Sequence, residues 1–385
     1  MVFNNLRMAG TDEVVHIGIS GEKIASVSSN PGTTSIEGIE LTFRDALVFP
    51  GLINSHDHLD FNLFPQLGSR NYSNYTEWGM DIHQTFKAEI AAVLKVPDQL
   101  RSAWGVYKNL LGGVTTVVNH GEKQLLEDAP VNVFENSHCL HSVKFEKGWK
   151  IKLNNPLKIR LPVNIHIGEG GDWPSYDEID QLTRWNLLRK KLIGVHAVAM
   201  SGEQAKKFEA IVWCPQSNYF LLNKTAEVNS LRKHTRLLFG TDSTLTSHWD
   251  IWEHLRSARK TKLITDAELF QTVNQNAAKT WKVNSGEITA GKDADIVIAK
   301  INDHKKGFNA FFEITPADLL LVMHKGNIRL FDETILRQLK DIQVAEYSKI
   351  YINGVGKYVQ GDLPGLMEKI KKYYPAARFP VNANN

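Results

Sequence analysis

The sequence predicts an α/β protein, a closed (β/α)₈ barrel carrying a small β-sandwich domain built from both chain ends. Three observations predict it. Short apolar runs recur through the middle of the chain, each ending in a polar loop: "GVTTVVNHGE" (113–122), "LPVNIHIGEG" (161–170), "LIGVHAVAM" (192–200), "AIVWCPQSN" (210–218) and "TRLLFGTDS" (235–243). Amphipathic stretches separate several of them, at 98–113, 176–191 and 268–281. Alternating buried strands and helices argue for a parallel sheet, and this many strands favour a closed barrel over an open sheet. Thirdly, strand-and-turn patterning fills both ends of the chain.

At the N-terminal end, "EVVHIGIS", "GEK" and "IASVSS" read as a hairpin with Gly21 in its turn. Further strand-like runs lead to Pro50-Gly51. After Trp281 the same style returns in "GEITAGKDADIVIAK" and "LLLVMHKGNIRLFD". The expected organisation is therefore 1–48 and 284–330 as two parts of one β domain, 49–283 as the barrel, and 331–385 as an extension without an assigned role. "GEITAGKD" matches a phosphate loop up to its last position, where Asp293 replaces the required hydroxyl residue. It lies between strand-like runs rather than opening a helix, and reads as a turn.

Composition excludes several classes. The 385 residues are 42% hydrophobic and 23% charged, ordinary values for a globular protein. A net charge of +3 is too small to argue for nucleic acid or an acidic membrane surface. Two cysteines make no disulfide framework and fit a reducing compartment. The start has no basic segment followed by an apolar core, and no apolar run approaches the length of a bilayer. A soluble, cytoplasmic protein acting on a small molecule is expected.

The strand ends carry the chemistry. "PGLINSHDHLD" holds His56 and His58, one residue apart. With 14 histidines in the chain, chance alone gives roughly half such a pair. Yet "VNIHIGEG" ends in His166 with Glu169 just beyond, "IGVHAVAM" carries His196, and "LLFGTDS" ends in Asp242. Any one of these reads equally as an interior histidine, a helix cap or a solvated carboxylate. Four strand ends bearing imidazole or carboxylate do not. Alternate residues on a strand point the same way, so His56 and His58 can reach one ion. Nitrogen and carboxylate donors together suit Zn²⁺, or less often Fe²⁺.

The ordered set resembles the amidohydrolase superfamily of metal-dependent hydrolases over about 1–330. It does so through "FPGLINSHDH", "GVTTVVN", "IHIGE", "GVHAVAM", "WCPQSN", "LLFGTDS" and the returning segment "GEITAGKDADIVI". The spacing of "HIGE" is similar to the branch containing atrazine chlorohydrolase, guanine deaminase and S-adenosylhomocysteine deaminase. The resemblance implies one zinc per chain, with iron as the other candidate, held by His56, His58, His166 and Asp242. It implies that His196 orients the attacking water without being a ligand, and that the barrel is TIM-like. On that assignment the cation acidifies its water, Asp242 takes the proton, and Glu169 passes a proton to a ring nitrogen or leaving group. The implied reaction is hydrolysis of a C–N bond, foremost deamination of a planar nitrogen heterocycle. Hydrolysis of a cyclic or linear amide is the alternative, and a catalytically silent scaffold a third. Homodimerisation is expected from the resemblance alone.

Two departures stand out. No convincing counterpart appears for the bridging lysine or glutamate that binuclear relatives carry on the fourth strand. Also, only about 40 residues separate "VVNHGE" from "LPVNIH", where two β/α units of a typical barrel would take about 60. The third and fourth units are expected to be trimmed, with "HSVKF" and "WKIKL" as candidate strands. His120, ending a strand, and Trp173, able to stack on a planar ring, are the expected substrate contacts. His138 and His141 read as surface or structural residues.

Overall fold

A computed structural model describes residues 1–30, 38–123, 126, 128–301, 304–340 and 342–384. Its centre is eight parallel strands in chain order. Leu52–Asp57, Val114–Asn119 and Asn132–Phe134 form one sheet. His138–Ser142, Val163–Ile167, Leu192–His196, Ala210–Trp213 and Arg236–Phe239 form the other. Most of these strands are buried along nearly their whole length, as expected for parallel strands covered on both faces. The two sheets meet at a parallel bridge between Asp57 and Asp242. There the Asp242 N–H donates to the His56 carbonyl and the His58 N–H to the Asp242 carbonyl, each at 3.0 Å. Among the described residues no ladder joins Asn132–Phe134 to His138–Ser142. The strands thus follow the expected order in two arcs.

The strands from the two chain ends share one ten-stranded sheet. Ala46–Pro50 pairs antiparallel with Ile296–Lys300, Phe49 opposite Val297, and this ladder joins the N-terminal part to the C-terminal part. Phe3, Leu6, Val48, Ile296, Ile298, Leu321 and Phe331 share one buried cluster. The hairpin expected near Gly21 is present, as Val14–Ser20 against Lys23–Ser28. The sheet runs further than position 330, because Tyr347–Ile352 and Val355–Gln360 form a hairpin added through Asn327–Asp332. The last helix, Leu363–Tyr373, packs on Asp98–Leu111. The Tyr107 hydroxyl donates to the Gln360 carbonyl at 2.9 Å, and the Trp104 and Phe379 rings meet at 4.8 Å. The extension is therefore anchored to a helix that also supports the parallel strands. "GEITAGKD" leads into a strand, not a helix.

Four local readings differ from the structure. "WKIKL" is the helix Trp149–Leu153. Its alternating apolar letters mimic a strand, but Trp149 and Leu153 lie four apart and are buried while Ile151 is 82% exposed, which is a helical face. The third and fourth strands are Asn132–Phe134 and His138–Ser142, so "HSVKF" begins where the fourth strand ends. The amphipathic stretch 268–281 is two helices, Asp266–Thr272 and Gln275–Trp281. The helix expected at 176–191 is Trp173–Trp185, and "NLLRKK" lies beyond its end.

The helical reading of "WKIKL" makes a direct prediction. Leu153→Ala should lower stability by about 2–5 kcal/mol, the range for emptying a buried leucine site. Ile151→Ala should change it by no more than about 0.5 kcal/mol. Urea unfolding of the two variants compares them; equal losses would contradict the assignment.

Candidate active site

All the expected site residues except Trp173 gather at the C-terminal ends of the parallel strands. The imidazole Nε2 of His166 stands 3.2 Å from Nε2 of His56 and 3.2 Å from Nε2 of His58. Oδ1 of Asp242 lies 3.5 Å from His56 Nε2 and 3.6 Å from His58 Nε2. Zinc bonds of about 2.0–2.1 Å place tetrahedral donors about 3.4 Å apart. Four of the six pairings among these groups already have that spacing.

The hydrogen bonding explains why these nitrogens face one another. His166 Nδ1 is 2.9 Å from the His141 carbonyl oxygen, which can only accept. The proton therefore sits on Nδ1 and Nε2 presents a lone pair. Burial, followed by the neighbouring imidazoles, holds His166 well below the usual histidine range and His58 down to about 3. Protonation is thus a poor way to relieve the crowded lone pairs, and a divalent cation is a good one. Asp242 supplies negative charge. Burial alone would raise its pKa, but the His56 hydrogen bond and the nearby His196 and His58 hold it well below the carboxylate range. Its Oδ2 accepts from Ser217 Oγ at 2.7 Å and Thr246 Oγ1 at 2.8 Å, which leaves Oδ1 toward the histidines.

The backbone is bent to achieve this. His196 and Asp242 have φ of 70° and 62°, a left-handed conformation that costs a non-glycine residue about 1–3 kcal/mol. Gly240 lets the last parallel strand approach the first. A Cβ there would lie 2.7 Å from the His56 Cβ.

His196 and Glu169 complete the set. The Asn218 amide donates to His196 Nδ1 at 2.9 Å, so Nε2 carries the ring proton. That nitrogen is 3.5 Å from Glu169 Oε1. Burial lowers His196 to about 3. It is within reach of the ion position, since His56, His196 and Asp242 could together hold a metal, but its tautomer makes it a donor. Glu169 is 5% exposed, and burial, then Asp242 and Glu178, push its pKa well above the carboxylate range. Glu178 accepts from the Gly168 N–H at 2.7 Å and fixes the turn that carries Glu169.

These groups open onto a cavity of about 710 Å³. His58, His166, Glu169, His196 and Asp242 form its floor, and Phe61, Phe64, Tyr75, Trp78 and Phe145 are among its walls. Among the described residues no lysine or arginine lines it. Two expected substrate contacts are not there. Trp173 is 71% exposed and stacks on Tyr176 at 5.3 Å. Asp172 caps the helix immediately before it, so Trp173 begins the helix on its solvent side. His120 does not line the cavity either; it is buried against the donor rings. Conversely His141, read as surface or structural, lines the cavity. His138 is buried against Lys190, with Nδ1 2.6 Å from Nζ.

The sequence reading missed the support beneath the donors. Asp57, between His56 and His58, is fully buried. It accepts from Lys108 Nζ at 2.8 Å, Asn109 Nδ2 at 2.8 Å, Asn62 Nδ2 at 2.6 Å, Asn54 Nδ2 at 3.0 Å and Thr241 Oγ1 at 3.3 Å. A charged letter inside a buried strand end was its only signal. Lys108→Met would leave Asp57 buried without its counter-charge. Stability should fall by about 3–5 kcal/mol, read by urea unfolding; a loss under about 1 kcal/mol would show that the pair does not organise the site.

Comparisons with known proteins agree with this geometry. The amidohydrolase family model matches residues 163–329. A 5'-deoxyadenosine deaminase of Methanococcus aeolicus is 22% identical over 324 residues, 67% of this chain and 74% of that protein. An adenosine deaminase from Xanthomonas campestris, solved with bound zinc, superposes with a TM-score of 0.71 at 15% identity, covering 97% of each chain. A guanine deaminase from C. acetobutylicum, solved with guanine in its active site, gives 0.62 at 16% identity over 85% of this chain and 99% of that one. At such identities the structural likenesses speak for the fold. The family model's match thus covers the stretch of this chain that carries His166, Glu169, His196 and Asp242.

Proposed function

We propose that this protein is a mononuclear metal-dependent aminohydrolase that removes an amino group from a neutral, planar nitrogen heterocycle. The observation that carries the reading is the convergence of His58, His166 and Asp242, on the floor of an aromatic-walled cavity, with His56 beside them at metal-donor distances. The deaminases among the relatives support the reaction, and the zinc-bound neighbour supports the metal. The eight strands in barrel order support a TIM-like barrel over 49–283. The core shared by strands from both ends supports a β-sandwich unit built from 1–48 and 284–330.

When bound, the cation supplies an acidified water and polarises the electrophilic carbon. The protein's residues do the rest. Aromatic faces sandwich a flat ring, and the lack of lysine and arginine on the walls disfavours an anionic substrate. Asp242 Oδ1, ionised and turned inward, accepts the water's proton. His196 donates from Nε2 and so orients the attacking oxygen. Glu169, kept protonated by its burial, delivers a proton to the ring nitrogen beside the attacked carbon. Asp242 then passes its proton to the amino group, the C–N bond breaks and ammonia leaves, and the new hydroxyl returns its proton to Glu169 as the carbonyl forms.

Elemental analysis of the purified protein should find about one zinc or iron per chain, and His56→Ala should remove it. Two tightly held ions would overturn the mononuclear assignment. A panel of purines, pyrimidines, triazines and cyclic amides, scored for ammonia release, tests the chemistry. Turnover of a cyclic amide without ammonia would replace deamination by amide hydrolysis.

Two substitutions separate the roles. Glu169→Gln should keep metal and substrate binding while kcat falls by roughly 10²–10⁴, the usual contribution of general acid–base catalysis. Near wild-type kcat would make Glu169 a bystander. His196→Asn should abolish turnover with metal content unchanged; loss of the metal would make His196 a ligand.

A further inference from the structure

His120 is used by nothing described so far. It follows the strand Val114–Asn119, and its backbone N–H donates to the Asp57 carbonyl at 2.8 Å. The side chain is 1% exposed. Neither Nδ1 nor Nε2 has a hydrogen-bond partner, and among the described buried residues it is the only histidine with both nitrogens unpartnered. A buried imidazole normally has at least one nitrogen satisfied, so two orphans on one ring indicate a missing partner.

The surroundings say what the partner is. The His120 ring centroid lies 4.9 Å from that of His56, 5.2 Å from His58 and 4.2 Å from His166. Those three rings are 4.9–5.2 Å from one another. The four centroids thus form a rough tetrahedron. Imidazoles bound to one ion through nitrogen at about 2.1 Å, with the ring centre about 1.1 Å further on, have centroids about 5 Å apart in tetrahedral array. One ring nitrogen each of His56, His120 and His166 also lie within 4.8 Å of one another. A missing water is a weaker explanation, since the groups around His120 are three imidazoles already turned toward a common point. A substrate atom is a weaker explanation too, because His120, unlike His58 and His166, does not line the cavity.

We infer that His120 is a fifth protein donor to the ion, giving a set of four imidazoles and one carboxylate. The inference rests on the metal-site reading above. It departs from a four-donor zinc site and favours an ion that accepts more than four ligands, iron(II) or cobalt(II) among them.

The test strips the full-length protein with chelator and reloads it with Co²⁺. X-ray absorption then counts imidazole donors, and chelator competition gives the affinity. The wild type should show four imidazoles. His120→Leu, which keeps the bulk, should show three and bind Co²⁺ about 10–100-fold more weakly, or weaker still. His196→Asn should still show four, which separates the two candidates for the extra imidazole. Three imidazoles in both wild type and His120→Leu would overturn the inference while leaving the metal site standing. If His120→Leu fails to fold, the wild-type count with His196→Asn decides alone. A wild type that binds no Co²⁺ would remove the metal reading itself.

Discussion

The crowding of imidazole lone pairs around one point is the constraint on which the rest of the structure depends. Three Nε2 atoms and a carboxylate oxygen stand in a ring in a buried site, each 3.2–3.6 Å from two of the others. Left alone, such groups repel or protonate. Here the protein blocks both escapes. Burial disfavours the imidazolium form, and hydrogen bonds from behind fix the rings and carboxylate in place. Beneath them Asp57 ties together the first strand, the helix Asp98–Leu111 and, through Thr241, the end of the last strand. A buried carboxylate with an ammonium and several amide donors is stable only while every partner stays in place. The geometry of the donors is therefore inherited from the closure of the first strand on the last.

Function follows from small asymmetries within this cluster. Asp242 and Glu169 are both buried carboxylates, yet their environments drive them apart. Histidines and two hydroxyls surround the first and hold its pKa well below the carboxylate range; burial and the neighbouring carboxylates push the second well above it. Two carboxyl groups pushed in opposite directions are what the proposed reaction asks of a base and an acid at the same pH. His196 differs from the other histidines by a single hydrogen bond, from Asn218, which sets its tautomer and makes it a donor. The aromatic walls rise over the place where these groups converge, which suits the flat, uncharged ring of the proposed reaction.

Much of this was legible in the sequence because strand ends announce themselves. An apolar run that stops at a histidine or an aspartate fixes both the element and the direction of the side chain, so His56, His58, His166, His196, Glu169 and Asp242 could be named. What was not legible depended on neighbours distant in sequence. "WKIKL" has strand-like alternation and only its packing partners make it a helix. Trp173 has the chemistry of a substrate contact, but a helix cap one residue earlier starts it on the solvent side. Lys108 lies 51 positions from Asp57, and only the fold makes them a pair. His120 was marked as a site residue, but its place behind the donor rings needed the third dimension.

Anomalous diffraction from a crystal of the metal-loaded protein, collected across the zinc and iron edges, tests the central claim most directly. The account predicts one peak per chain, about 2.0–2.2 Å from His56, His58, His166 and Asp242. No peak among these residues, or two peaks there, would contradict it.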